Sequence, residues 1–149
     1  FVQVACHLAR GGSLDVIGKP AAVLKELVEF KPRILNDGKT IVGSVIYIDN
    51  FGNVITNIEK HLFEAYRNGR DFELSARNKI LTEIYHTYSD IINFDLDKNQ
   101  RKGPGDLLAL FNSAGFIELA IYKSDSQTVG SAATLLGLEY RDTISINFI

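Results

Sequence analysis

From Thr40 onward the chain is a string of short runs rich in Val, Ile, Tyr and Thr, each cut off by a turn signal. The runs are "TIVGSVIYIDN", "NVITNI", "DFELSA", "KILTEIY", "LLALFNS", "IELAIY" and "TISINFI". About seven short, closely spaced strands with few helices read as a small antiparallel barrel or sandwich. We expect a mainly β fold, a Greek-key-like antiparallel barrel with a short helical segment at its N-terminal side. Arg77-Asn78 between "DFELSA" and "KILTEIY" predicts a hairpin, and Ala114-Gly115 turns the next pair.

Before Thr40 the pattern differs. Val2, Ala5, Leu8 and Ala9 have helical spacing, and Gly11-Gly12 stops them. Ser13 is placed to cap one short helical turn, ended by Gly18 and Pro20. Residues 21–38 read as a connector with a turn at Asp37-Gly38. Within the strand region, "EKHLFEAYRNG" predicts a helix with Leu62, Phe63, Ala65 and Tyr66 inward, closed by Asn68-Gly69. "FDLDKNQRKGPGD" is a polar loop, and "VGSAATLLGL" predicts a short helix.

At 149 residues the chain is about one domain long. Its net charge is -2, with scattered basic residues and no electrostatic footprint for nucleic acid. No apolar run approaches the roughly 18 residues that span a bilayer, so no membrane partner is expected. One cysteine, Cys6, excludes an intrachain disulfide framework. A cytoplasmic location follows as the default. The chain begins with Phe1 and contains no methionine, so we expect a piece of a longer polypeptide.

Standard catalytic motifs are absent: there is no P-loop, G-x-S-x-G, C-x-x-C or H-E-x-x-H. His7, His61 and His86 are far apart and lack metal-ligand spacing. His7 reads as a hydrogen-bonded helix histidine and Cys6 as a small buried hydrophobe. Three turns carry more chemistry. "DNFGN" sets a carboxylate (Asp49), a ring (Phe51) and an amide (Asn53) in one turn. Such a set suits a ligand with an ammonium group and a flat heterocycle, since an amide can match adenine N6 and N7. It is equally a plain strand-to-strand turn, with Gly52 supplying positive φ. "FNSAG" is either a hairpin turn or a nest of N–H groups for a carboxylate. "HTYSD" places Tyr88 at a strand end, to stack on a base or fill the core.

The order of "VIYIDNFGNVITNI", "TYSDI", "GDLLALFNSAGFIELAI" and "GSAATLLGL" is similar to the family of S-adenosyl-L-methionine (SAM) hydroxide adenosyltransferases, which includes the fluorinating and chlorinating enzymes. In that family an N-terminal α/β domain precedes a C-terminal β-barrel. The resemblance implies that residues 1–38 are the tail of the first domain plus connector, and 39–149 the barrel. It implies trimers, with SAM bound between one subunit's N-terminal domain and its neighbour's barrel. It implies hydrolysis of SAM to adenosine and L-methionine by displacement at ribose C5′, with SAM as substrate and no cofactor. By position, Asp49 would hold the α-ammonium, Phe51 and Tyr88 the adenine faces, and Asn53 its edge. Ser113, with the backbone of Ala114 after it, would meet the methionine carboxylate.

None of these residues carries a catalytic role in the family. Its water-orienting Asp, Arg and His belong to the N-terminal domain. Ala114 stands where the halogenating members have Arg, which favours water over halide as nucleophile. The segment "YKSDSQT" is longer than the family's usual connection, and Ser131 replaces an Asn. Two readings from other classes stay open: a non-catalytic barrel binding oligonucleotides, a nucleotide or a partner protein, and a purely structural trimerisation domain.

Overall fold

The computed structural model describes residues 1–23, 30–124 and 130–149. Its described residues form eight strands and three α-helices. The strands are β1 (Arg33–Leu35), β2 (Thr40–Ile48), β3 (Val54–Glu59), β4 (Phe72–Ala76), β5 (Lys79–Leu81), β6 (Leu107–Phe111), β7 (Phe116–Ile121) and β8 (Thr143–Phe148). The helices are α1 (Val2–Ala9), α2 (Lys60–Arg67) and α3 (Ala132–Leu136). No helix among the described residues is long and apolar enough to cross a membrane.

All ladders are antiparallel, in the order β5-β4-β8-β2-β3-β7-β6. The chain leaving β5 at one edge reaches β6 at the other. There Tyr85 bridges Leu110, and its N–H donates to Ala109 O at 2.8 Å. That join makes the sheet a nearly closed barrel, which leaves little open edge for a foreign strand. The expected mainly β architecture is therefore present.

The sequence missed β1. Arg33–Leu35, within the stretch read as connector, pair with β2 across a turn whose Asn36, Asp37 and Gly38 all have positive φ. The run "KILTEIY" holds only three residues in the ladder, because the chain must leave β5 to cross to β6. Ala65 is exposed rather than inward; Phe63 alone is fully covered on α2, with Leu62 and Tyr66 half-buried. Phe63 packs edge-on against Phe72 and Phe111, with ring centroids 5.0 and 5.6 Å away, and plugs one end of the barrel. Cys6 is exposed, because no residue of α1 is buried. His7 is hydrogen-bonded as expected, Nε2 to Ser13 O at 2.9 Å. Residues 24–29 of the predicted connector and Val129 of the predicted last helix lie outside the described residues.

Strand β3 is covered on both faces, and its register slips against both neighbours. Between Ile55↔Glu118 and Glu59↔Phe116 three residues of β3 face one of β7. A bulge of that size breaks ladder bonds. Thr56 and Asn57 replace them with side chains. The Thr56 hydroxyl donates to Ile117 O (3.0 Å) and accepts from Ile58 N (3.2 Å). Asn57 Oδ1 accepts from Ser44 N (2.8 Å), and its Nδ2 donates to Phe30 O. Thr56→Val keeps the shape and leaves two buried backbone groups without partners. The expected cost is about 2 kcal/mol, seen as a lower urea midpoint with unchanged m-value.

Candidate functional site

The first candidate loop joins β2 to β3. Gly52 N donates to Asp49 O (2.9 Å), and Asp49 N to Asn53 O (3.1 Å). This is a three-residue hairpin loop with Gly52 at φ +75°. The Asp49 carboxylate organises it from inside. Oδ1 accepts from Phe51 N and Asn53 N, both at 2.9 Å, and Oδ2 accepts from Asn53 Nδ2 at 3.0 Å. An ionised carboxylate has about four acceptor positions, so Oδ2 retains capacity for an external donor. With its backbone pinned in this way, Phe51 stands at the tip, 79% exposed.

The helix α3 supports this loop. Ser131 caps it: the Ser131 hydroxyl accepts from Thr134 N (3.3 Å), and Ser131 N donates to Thr134 Oγ1 (2.8 Å). Ala133 N then donates to Gly52 O at 3.0 Å. Ser131, noted as a departure at sequence level, thus presses directly on the turn.

The second candidate loop, between β6 and β7, repeats the first. Asn112 N donates to Phe116 O (3.0 Å) and Gly115 N to Asn112 O (2.9 Å). Asn112 Oδ1 accepts from Ala114 N (3.0 Å) and Phe116 N (3.1 Å). Both loops read Asx-x-x-Gly, with glycines at φ +75° and +82°. The nest expected here is therefore largely closed, since the N–H groups of Ala114, Gly115 and Phe116 point at Asn112. Ser113 and Ala114 are both exposed on the loop. The two loops sit at opposite ends of β3. Leu119 pairs beside the first and Phe116 beside the second, about 10 Å apart along β7.

Tyr88 is not at a strand end. It opens a 3₁₀ turn, Tyr88–Ile91, in the strap that closes the barrel. Thr87 and Asp90 form the cap: Thr87 N and Oγ1 donate to the Asp90 carboxylate at 2.9 and 2.8 Å. These bonds hold the Asp90 carboxyl below its ordinary value. The strap covers a second apolar cluster on the outer face, formed by Ile91, Leu108, Leu110, Ala120 and Tyr122. Tyr88 remains 42% exposed while its hydroxyl donates inward to Glu118 Oε1. Burial, then the Glu118 hydrogen bond and charge, then the charge of Asp49, raise the Tyr88 hydroxyl well above the phenol range. Glu118 pairs with Ile55, two residues past Asn53, so the Tyr88 hydroxyl lies near the foot of the first loop.

A family model, the SAM hydroxide adenosyltransferase C-terminal domain, matches residues 43–145. The chain belongs to this family. The SAM hydroxide adenosyltransferase match contains both Asx-x-x-Gly loops, the bulge and the strap. Over 106 residues the chain is 32% identical to the (R)-S-adenosyl-L-methionine hydrolase of Methanocaldococcus jannaschii, covering 68% of this chain and 34% of that protein. An uncharacterized conserved protein of Thermotoga maritima superposes with a TM-score of 0.66 at 28% identity, over 97% of this chain and 49% of its own. A conserved hypothetical protein from Thermus thermophilus shares the fold, with a TM-score of 0.53 at 22% identity, over 100% of this chain and 50% of that one. The chain therefore spans between a third and a half of the length of these relatives.

Within this SAM hydroxide adenosyltransferase domain, sequence reasoning missed Glu118. It is 6% exposed on β7, paired between Ile55 and Leu110. The available signal was one acidic residue in the apolar run "FIELAI". A buried carboxylate is rare without a partner, and here the partner is Tyr88.

Proposed function

We propose that this chain is the substrate-binding barrel of an enzyme that hydrolyses SAM to adenosine and L-methionine. The supporting observation is the Asp49–Asn53 loop. It holds a carboxylate whose Oδ2 retains acceptor capacity beside an exposed ring, with the Tyr88 hydroxyl bonded to Glu118 opposite Ile55. Asp49 would meet the α-ammonium, Phe51 and Tyr88 the adenine faces, and Asn53 its edge. Ser113 and Ala114 would take the carboxylate end through the Ser113 hydroxyl, because the neighbouring N–H groups are engaged.

The sulfonium leaves as a neutral thioether and needs no acid. Catalysis then rests on placing water in line and stripping its solvent. The barrel contributes by holding the substrate rigidly. The water-orienting groups would come from an N-terminal domain, in a cytoplasmic homotrimer whose neighbouring subunits complete each site. In this reading residues 1–38 lead from that domain into the barrel of 39–149. No nucleic acid, membrane or cofactor takes part. On this reading the 149-residue chain alone has negligible turnover.

The test is incubation of the complete gene product with SAM, with and without chloride, and chromatographic separation of products. Adenosine and methionine under both conditions is the expected result. A 5′-halogenated adenosine formed only with halide would change the nucleophile and keep the site. No product, together with retention of single-stranded RNA on a filter at low salt, would favour an oligonucleotide-binding barrel instead.

A further inference from the structure

The strap ends on one buried carboxylate, Glu118, and its surroundings give it a specific job. Glu118 lies on the outer face of β7. Its ladder partners Ile55 and Leu110 are buried, and so is Ala120, two residues on along the same face. A carboxylate in that setting is costly unless something donates to it. The donor is the Tyr88 hydroxyl. The rest of Tyr88 is 42% exposed, so the ring is anchored at its tip and open on its side. Its backbone is fixed separately, by the Thr87–Asp90 cap and by Ile91 packing into the outer cluster.

We propose that Glu118 is a positioning residue: it holds the Tyr88 side chain in one rotamer, as a preformed stacking wall for the adenine of the ligand. This rests on the functional reading above and adds to it the residue that prepares the site. An aromatic ring on an exposed turn ordinarily samples several rotamers, and ligand binding then carries the cost of ordering it. A hydrogen bond from the para position to a buried, immobile acceptor removes that freedom before binding. Glutamate suits the role because the charge-assisted bond to a neutral phenol is stronger than a bond between two neutral groups. The Tyr88 hydroxyl remains a donor throughout, since burial first, then Glu118, and least Asp49 oppose its ionisation.

The test uses the complete gene product with two readouts. The first is the χ1 rotamer population of Tyr88 without ligand, read from its Hα–Hβ and N–Hβ scalar couplings. The second is adenosine and SAM affinity by calorimetry. Wild type is expected to show a single χ1 rotamer. Glu118→Leu, which replaces the carboxylate with an apolar side chain, is expected to stay folded, release the side chain to several χ1 rotamers and lose about tenfold in affinity. Tyr88→Phe should match it, and combining the two should add nothing further. Glu118→Gln, which still accepts the phenol proton, should restore most of the affinity.

Glu118→Leu binding like wild type with a freed side chain overturns the inference. So does Glu118→Gln losing as much as Glu118→Leu while Tyr88→Phe is harmless, since the carboxylate would then contact the ligand itself. A wild-type protein with a single Tyr88 rotamer and no affinity for either ligand overturns the functional reading and this role together.

Discussion

Asp49→Asn is expected to leave the barrel folded and to weaken SAM binding about 30-fold, a loss of ~2 kcal/mol. The prediction comes from comparing the two loops. At the β6–β7 loop an Asn already does the internal work: Asn112 Oδ1 accepts from the N–H groups two and four residues on. Asp49 Oδ1 accepts from the N–H groups at the same offsets. An amide oxygen at 49 can therefore hold the turn, and Asn53 need only rotate its amide to keep the side-chain contact. What the amide cannot supply is the charge for an ammonium group. Asp49→Ala separates the roles from the other direction. It removes all three accepted bonds and should destabilise the loop by about 2 kcal/mol as well as abolishing ligand affinity. Calorimetry for binding and urea denaturation for stability measure the two effects independently. Wild-type affinity in a well-folded Asp49→Asn protein would falsify the ammonium role.

Gly52→Ala carries the largest expected loss of stability, about 3 kcal/mol or more. Two costs add at this position. Gly52 sits at φ +75°, where a side chain is strained by roughly 1–2 kcal/mol. A Cβ built there falls 2.2 Å from both Cβ and Oγ of Ser131. Ser131 cannot rotate out of the way, because its Cβ is one of the atoms struck and its hydroxyl caps α3. Relief requires moving α3, which also breaks the bond from Ala133 N to Gly52 O. The thermal midpoint should fall, and exchange of the Ala133 and Leu135 amides should rise with it. The equivalent change at Gly115 is a useful control. Gly115 has the same positive φ, and a Cβ there meets nothing within 4 Å. Its loss should be the conformational cost alone, and a Gly52→Ala effect no larger than that of Gly115→Ala would remove α3 from the account.

The loops were readable because their determinants are local. An Asx residue followed three places later by glycine specifies a hairpin turn within five residues, and both such turns form. Alternation of Val, Ile, Tyr and Thr with polar residues determined most of the strands, and the combined motifs placed the chain in its family. The α2 stop at Asn68-Gly69 was equally local: Asn68 takes the left-handed conformation that ends the helix.

Other features depended on contacts far along the chain. Strand β1 has only three residues, and its pairing to β2 is what makes it a strand. Tyr88 looked like a strand end because its neighbours favour strands. The strap from Tyr85 instead had to bridge β5 to β6, and the 3₁₀ turn over the outer cluster is the result. Ala65 lies at the margin of the helix face that Leu62, Phe63 and Tyr66 share, and the packing covers only Phe63 fully. The N–H groups of the second loop read as available to an anion until the fold showed Asn112 accepting three of them. Glu118 was hidden for the same reason. A strand's sequence shows which residues share a face, while sheet closure and the segment laid over it decide which face is dry. Local chemistry thus determined the turns and their carboxylate. Long-range packing decided which side chains were already engaged and which stayed open to a ligand.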